Sequence, residues 1–204
     1  MKNIKWIFFD LGSTLVDESK VQSERFKRIA ASANVSYDYV YQTALNFYKQ
    51  NKKGDSETIR LLNVEKPSWR FEDEVLYRDT KDCLKKLSEK YNIGIIANQA
   101  LGTQERLKAF NILSYIKLVV ASAEEGVAKP DKRIFEIALD KANCEPQAAV
   151  MIGDRVDNDI VPAKALGMKT IWVKQGFGKY WKKSSESEQA DYEVERLAEI
   201  LEIL

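Results

Sequence analysis

Asp10, Lys129 and Asp154 are the residues of this 204-residue chain whose types and placement most directly suggest chemistry. Asp10 closes the apolar run Ile4–Phe9, and Asp154 follows Val150–Ile152 and Gly153. Lys129 stands with Pro130 in the loop after Leu118–Ala121. Two carboxylates and a lysine converging on one edge of a sheet would suit a metal-assisted phosphoryl site. Carboxylates and a phosphate share a site only when cations offset their charge. Mg²⁺, which favours carboxylate oxygens plus substrate phosphate, and a lysine ammonium supply that charge. The chain has no histidine. This removes the Ser-His-Asp hydrolases, the Cys-His proteases and the histidine-ligated zinc enzymes. Acids, bases and ligands must come from Asp, Glu, Lys, Tyr, Cys or the backbone.

The elements that must position these residues are legible as short apolar runs. Ile4–Phe9, Ile93–Ala97, Leu118–Ala121, Val150–Ile152 and Thr170–Val173 are rich in β-branched or aromatic residues, and none alternates cleanly with polar ones. Strands buried on both faces have this character. Tyr192–Val194 reads as a weaker edge strand. Helical spacing links Cys83, Leu84 and Leu87 within Thr80–Tyr91, and Ile134, Phe135, Ala138, Leu139 and Ala142 after Pro130 and Asp131. Ile160–Leu166 reads as a short helix closed by Gly167, and Val194–Leu204 as a terminal helix. Alternating strands and helices predict an α/β fold, a Rossmann-like parallel sheet with helices on both faces. Ligands of such sheets bind beyond the carboxyl ends of the strands, here Asp10, Ala97-Asn98, the Lys129 loop and Gly153-Asp154.

The interval from Asp17 to Tyr77 breaks the rhythm. It carries helical patterns at Val21–Ala33, Tyr37–Lys49 and Glu57–Leu62 and no strand, so it reads as a small all-helical lobe inserted after the first strand. The expected division is a core of residues 1–16 and 78–204 and a helical lobe of 17–77. The lobe's aromatics, Tyr37, Tyr39, Tyr41, Phe47, Tyr48, Trp69 and Phe71, are expected to pack its interior. Lys49, Lys52 and Lys53 are expected on a solvated face. Gly176 and Gly178 form no dinucleotide fingerprint and read as a turn after the fifth strand.

Composition sets outer bounds. A 45% hydrophobic and 31% charged chain is that of a soluble globular protein. A net charge of +1 gives no footprint for nucleic acid. Cys83 and Cys144 lie in no metal-like spacing and read as small hydrophobes. The first apolar run is too short for a signal peptide and no run approaches membrane-spanning length, so a cytoplasmic protein with no membrane partner is expected. Oligomeric state leaves no trace in the sequence.

Four segments resemble the haloacid dehalogenase (HAD) superfamily, in its order of motifs. Phe8–Asp17 (FFDLGSTLVD) resembles the first motif, Ile93–Gln99 (IGIIANQ) the second, Val127–Asp131 (VAKPD) the third and Met151–Gly167 (MIGDRVDNDIVPAKALG) the fourth. The insert sits where that family carries its helical C1 cap. The resemblance implies Mg²⁺-dependent hydrolysis of a small phosphorylated molecule, with Asp10 as a nucleophile forming an aspartyl-phosphate. It implies Mg²⁺ ligation by Asp10, Asp154 and the carbonyl of Gly12, and Lys129 bridging the phosphate and Asp10. Asp159 would hold Lys129 or a metal-bound water. Thr14 would hydrogen-bond the phosphate or the turn, and Asn98 would help to bind the phosphate.

The sequence departs from the family at two places. The phosphatases carry a second aspartate two residues after the nucleophile as general acid and base, and here that residue is Gly12. The second motif ordinarily offers a hydroxyl, and here Ala97 has none. Three readings follow: a phosphatase limited to good leaving groups or recruiting its acid and base from the insert; a protein binding Mg²⁺ and a phosphorylated ligand with little turnover; or a dehalogenase-type hydrolase. Dehalogenases also lack the second aspartate, but they need no metal, which Asp154 in its Gly-Asp context argues for. A carboxylate or tyrosine beside Gly12 would favour an enzyme.

Overall fold

The computed structural model describes residues 1 and 3–204. The chain begins with strand β1 (Trp6–Phe9), followed by a tight turn and β2 (Val16–Asp17). Three helices follow: α1 (Ser19–Ala33), α2 (Tyr37–Tyr48) and α3 (Gly54–Leu62). Strand β3 (Val75–Leu76) then leads into α4 (Thr80–Ser88), β4 (Asn92–Ala97), α5 (Thr103–Ala109), β5 (Leu118–Ala121) and α6 (Ser122–Glu125). The remainder comprises α7 (Lys132–Ala142), β6 (Ala149–Gly153), α8 (Val161–Ala165), β7 (Lys169–Val173) and β8 (Tyr192–Val194).

Six strands form one parallel sheet in the order β5-β4-β1-β6-β7-β8. The chain steps outward from β1 to one edge, returns, and steps outward to the other, so the order reverses between β1 and β6. A crevice opens at the carboxyl ends of strands at such a reversal. Register sets what lines it. Phe9 is level with Ile95 on one side and Ile152 on the other, so the next residue, Asp10, emerges beside Ile96 and Gly153. The α/β architecture matches the sequence expectation, as do all six strands.

Alternation along β1 divides the core. Ile7 and Phe9 face one layer with Leu84 and Leu87 of α4 and Leu107 of α5, whereas Phe8 faces Ile134, Phe135 and Ala138 of α7 and Ala163 of α8. These side chains are completely or almost completely buried, and each of the larger ones contributes roughly 1.5–3 kcal/mol of transfer free energy.

Three local expectations are corrected. The interval 17–77 does contain strand: Val75–Leu76 pairs antiparallel with Val16–Asp17 in a two-residue ribbon. The terminal segment is not an α-helix but β8 followed by a 3₁₀ stretch, Leu197–Glu202. Its buried residues, Leu197 and Ile200, are three apart, the spacing of a three-residue turn. The Ile160–Leu166 helix begins earlier, as a π turn over Val156–Ile160 that runs into α8, and Gly167 closes it with positive φ.

The helical insert has a small interior of its own, built from Phe26, Ile29, Ala30, Val40 and Ala44. Tyr41 and Tyr48 pack against it, so the expected aromatic packing holds for those two rings. Tyr37, Tyr41, Tyr48 and Trp69 line a cavity, and Tyr39 and Phe71 are exposed. Both cysteines are free thiols, Cys83 buried and Cys144 partly so. No helix among the described residues is long and apolar enough to cross a membrane.

Candidate active site

A cavity of about 580 Å³ lies over the carboxyl end of the sheet, between it and the insert. Its floor holds Asp10, Gly12, Lys129, Asp154 and Asp159, and Asn98 stands at its side. The size is that of a small-molecule site.

Lys129 is at the centre of the floor. Its ammonium donates to Asp10 Oδ1 at 2.5 Å, Asp159 Oδ1 at 2.6 Å and the Ile96 carbonyl at 2.9 Å, using all three of its protons. The loop carrying it is clamped by Asn98, which donates to the Lys129 carbonyl at 2.8 Å and accepts from the Lys129 amide at 2.7 Å. Burial pulls the Lys129 ammonium downward. The charges of Asp10 and Asp159 and their hydrogen bonds outweigh this and hold it above its ordinary range.

The π turn sets Asp159. Its other oxygen accepts from the Arg155 amide at 2.9 Å, and the residue is completely buried. A side chain at Gly153 would stand 2.2 Å from Asp159 Oδ2, so this glycine supplies room at the end of β6. Burial raises the Asp159 carboxyl to about 6 despite Lys129. Asp154, one residue beyond β6, is raised well above the carboxylate range by burial and then by the charges of Asp10 and Asp159.

Oxygens of Asp10, Asp154 and Asp159 all lie within 4.8 Å of one another. One lysine among three buried carboxylates leaves negative charge in excess, and the donors are hard oxygens. A small divalent cation fits that set. Thr14 is fully buried in the turn after β1, its hydroxyl facing Asp154 Oδ1 at 3.5 Å. Asp157 points away and pairs with Arg155 at 2.6 Å.

The family match follows this geometry. Residues 7–173 fit the profile described as haloacid dehalogenase-like hydrolase. The chain belongs to that family. Among curated HAD relatives, a glyceraldehyde 3-phosphate phosphatase of Pyrococcus furiosus is 33% identical over 228 aligned residues, covering 100% of this chain and 94% of its own. A HAD phosphatase structure from Thermococcus onnurineus superposes with a TM-score of 0.68 at 21% identity, covering 98% of this chain and 97% of that one. A 2-haloacid dehalogenase from Pseudomonas syringae superposes with a TM-score of 0.65 at 20% identity, covering 98% and 97%. The fold therefore serves both chemistries, and the choice between them lies in the side chains.

Sequence reasoning missed two parts of this HAD site. The loop after β7 supplies Gly176, Phe177 and Tyr180 to the cavity, and Phe177 stacks on Tyr48 of α2 with ring centroids 4.3 Å apart. Gly176 and Gly178 read in the sequence only as a turn, yet Gly178 packs against Asp154, and a Cβ there would stand 2.2 Å from the Asp154 carbonyl. The second is Glu18, which lines the same cavity. Burial, offset in part by a hydrogen bond from Ser13 and reinforced by Glu74 and Asp10, pushes its carboxyl up to about 8. Only its adjacency to Asp17, at the mouth of the insert, could have drawn attention to it.

Proposed function

We propose that this chain is a magnesium-dependent phosphatase of small phosphorylated metabolites that works through an aspartyl-phosphate at Asp10. The observation that carries the reading is the Lys129 ammonium held in a buried site between Asp10 and Asp159, with Asp154 alongside. That arrangement provides a nucleophilic carboxylate next to a fixed cation, where an incoming phosphoryl group would need both.

Asp10, Asp154 and the Gly12 carbonyl would hold magnesium, which supplies positive charge to the phosphoryl oxygens. Asp10 attacks phosphorus. Lys129 offsets the negative charge that gathers on the phosphoryl group and is kept in place by Asp159 and by the Asn98 clamp. Thr14 supports Asp154 from the turn. The helical insert acts as a C1 cap, its aromatic wall receiving the organic part of the substrate and excluding water. The 33% identical Pyrococcus phosphatase, a glyceraldehyde 3-phosphate phosphatase by name, supports a small phosphate monoester as substrate. The carboxylates gathered beside Asp10 favour this reading over a halide-releasing one, because such a cluster calls for a cation.

The test is a panel of phosphorylated metabolites assayed with magnesium and with chelator. Phosphate release is expected with magnesium only and is expected to vanish in Asp10→Asn. Release that persists in Asp10→Asn would refute the mechanism.

A further inference from the structure

Two residues after Asp10 the chain has glycine, and its backbone gives no conformational reason for it. Gly12 lies outside the left-handed region that favours glycine. The constraint is space. A Cβ at Gly12 would meet Glu18 Oε1 at 2.4 Å, Cδ at 2.8 Å and Oε2 at 2.9 Å. The Glu18 carboxyl thus fills the volume that a side chain at position 12 would enter.

Glu18 is also released from the task its position would suggest. It stands at the N-terminal cap of α1 but makes no capping hydrogen bond, and Asp17 instead accepts from the Ser19 amide at 2.9 Å. The Ser13 hydroxyl donates to Glu18 Oε2 at 3.0 Å and fixes the carboxyl beside the turn. Asp10 and Glu18 line the same cavity.

We infer that Glu18 is the proton carrier of this site, standing in for the aspartate that Gly12 replaces. The inference rests on the phosphatase reading above. In the first half-reaction the bond between phosphorus and the leaving oxygen breaks as the Asp10–phosphorus bond forms, and Glu18 gives its proton to the departing alkoxide. In the second, Glu18 takes a proton from water while the water oxygen bonds to phosphorus. The Asp10–phosphorus bond breaks, releasing phosphate and restoring both carboxyls.

The experiment compares wild type, Glu18→Gln, Glu18→Ala and the double variant Gly12→Asp with Glu18→Ala. Each is tested on an alkyl phosphate and on p-nitrophenyl phosphate, whose leaving group needs no proton, and folding is checked by circular dichroism. Glu18→Gln is expected to lose roughly 10²–10⁴-fold on the alkyl ester. On the aryl ester it should give a first turnover near the wild-type rate and then stall, with phosphorylated protein visible by intact mass spectrometry. A residue acting only through structure would not produce that accumulation. The double variant places a carboxyl in the vacated volume and is expected to recover at least about tenfold over Glu18→Ala on the alkyl ester. Equal losses on both esters without accumulation, or wild-type rates in Glu18→Gln, would overturn the assignment of Glu18 alone. A wild type inert toward both esters would overturn the phosphatase reading instead.

Discussion

Replacing Lys129 with Met tests the charge arrangement of the site most severely. The substitution keeps the apolar stem and removes the ammonium. Three acceptors lose their donor at once: Asp10 Oδ1, Asp159 Oδ1 and the Ile96 carbonyl. Asp159 is completely buried and the Lys129 side chain nearly so, so water cannot replace what is lost. Breaking a buried ion pair by removing one partner costs about 3–5 kcal/mol. For a chain of this size each kcal/mol lowers Tm by roughly 2–4 °C, which gives a fall of about 6–20 °C. The sign with pH is fixed. Lys129 lowers the buried Asp159 carboxyl, so without the lysine Asp159 binds its proton more tightly in the folded state and the deficit should shrink as pH falls. Calorimetry in chelator at about pH 7.5 and about pH 5.5 measures both effects. A Tm within about 2 °C of wild type at the higher pH would refute the view that Lys129 offsets buried negative charge.

Two further outcomes follow from the same geometry. In metal-free wild type, Asp159 (raised to about 6), Glu18 (to about 8) and Asp154 (raised well above its ordinary range) all hold protons more tightly folded than unfolded. Their contribution to stability is fully present below their unfolded pKa values and is lost as pH rises through the folded ones. Carboxyls such as Asp131, held low by Arg133, have finished titrating below that window. Melting in chelator should therefore decline from about pH 5 to about pH 8, and Glu18→Gln should flatten the upper part; a level or rising profile would contradict the assignment. Gly153→Ala would place a methyl 2.2 Å from Asp159 Oδ2, which cannot retreat without leaving Lys129 or the Arg155 amide. We expect a loss of about 1–3 kcal/mol in denaturant titrations, together with weakened phosphate release; wild-type stability would show that the end of β6 can yield.

What the sequence disclosed and what it withheld divide along a physical line. Asp10 and Asp154 follow strands whose apolar runs are continuous, and the sheet order then brings their ends together with no further information. Lys129 and Asp159 meet because a π turn, unreadable from periodicity, rotates Asp159 inward. Helix α5 was not anticipated, since Leu107 and Thr103 are its only buried residues and leave too narrow an apolar stripe. The aromatics of the insert were legible as rings but not as a cavity wall, because the same spacing serves either face. Glu18 was hidden for a different reason: its meaning depends on the absence of a side chain at Gly12, a relation across a turn.

The two-residue β2–β3 ribbon has a mechanical consequence. Both covalent crossings between sheet and insert run through it, so it acts as a pivot rather than a brace. At a pivot, displacement grows with distance. Tyr48, the last residue of α2, and Asn51, just beyond it, hold the loop after β7 by ring stacking and by paired hydrogen bonds between Asn51 and the Lys182 backbone at 2.8 and 2.9 Å. A swing of the lobe about the ribbon would have to part those contacts. Glu18, the first residue past β2, lies next to the ribbon and would move little in such a swing. The loop contacts and the proposed acid would then stand at opposite ends of one lever, so that the cavity could open while Glu18 stayed beside Gly12.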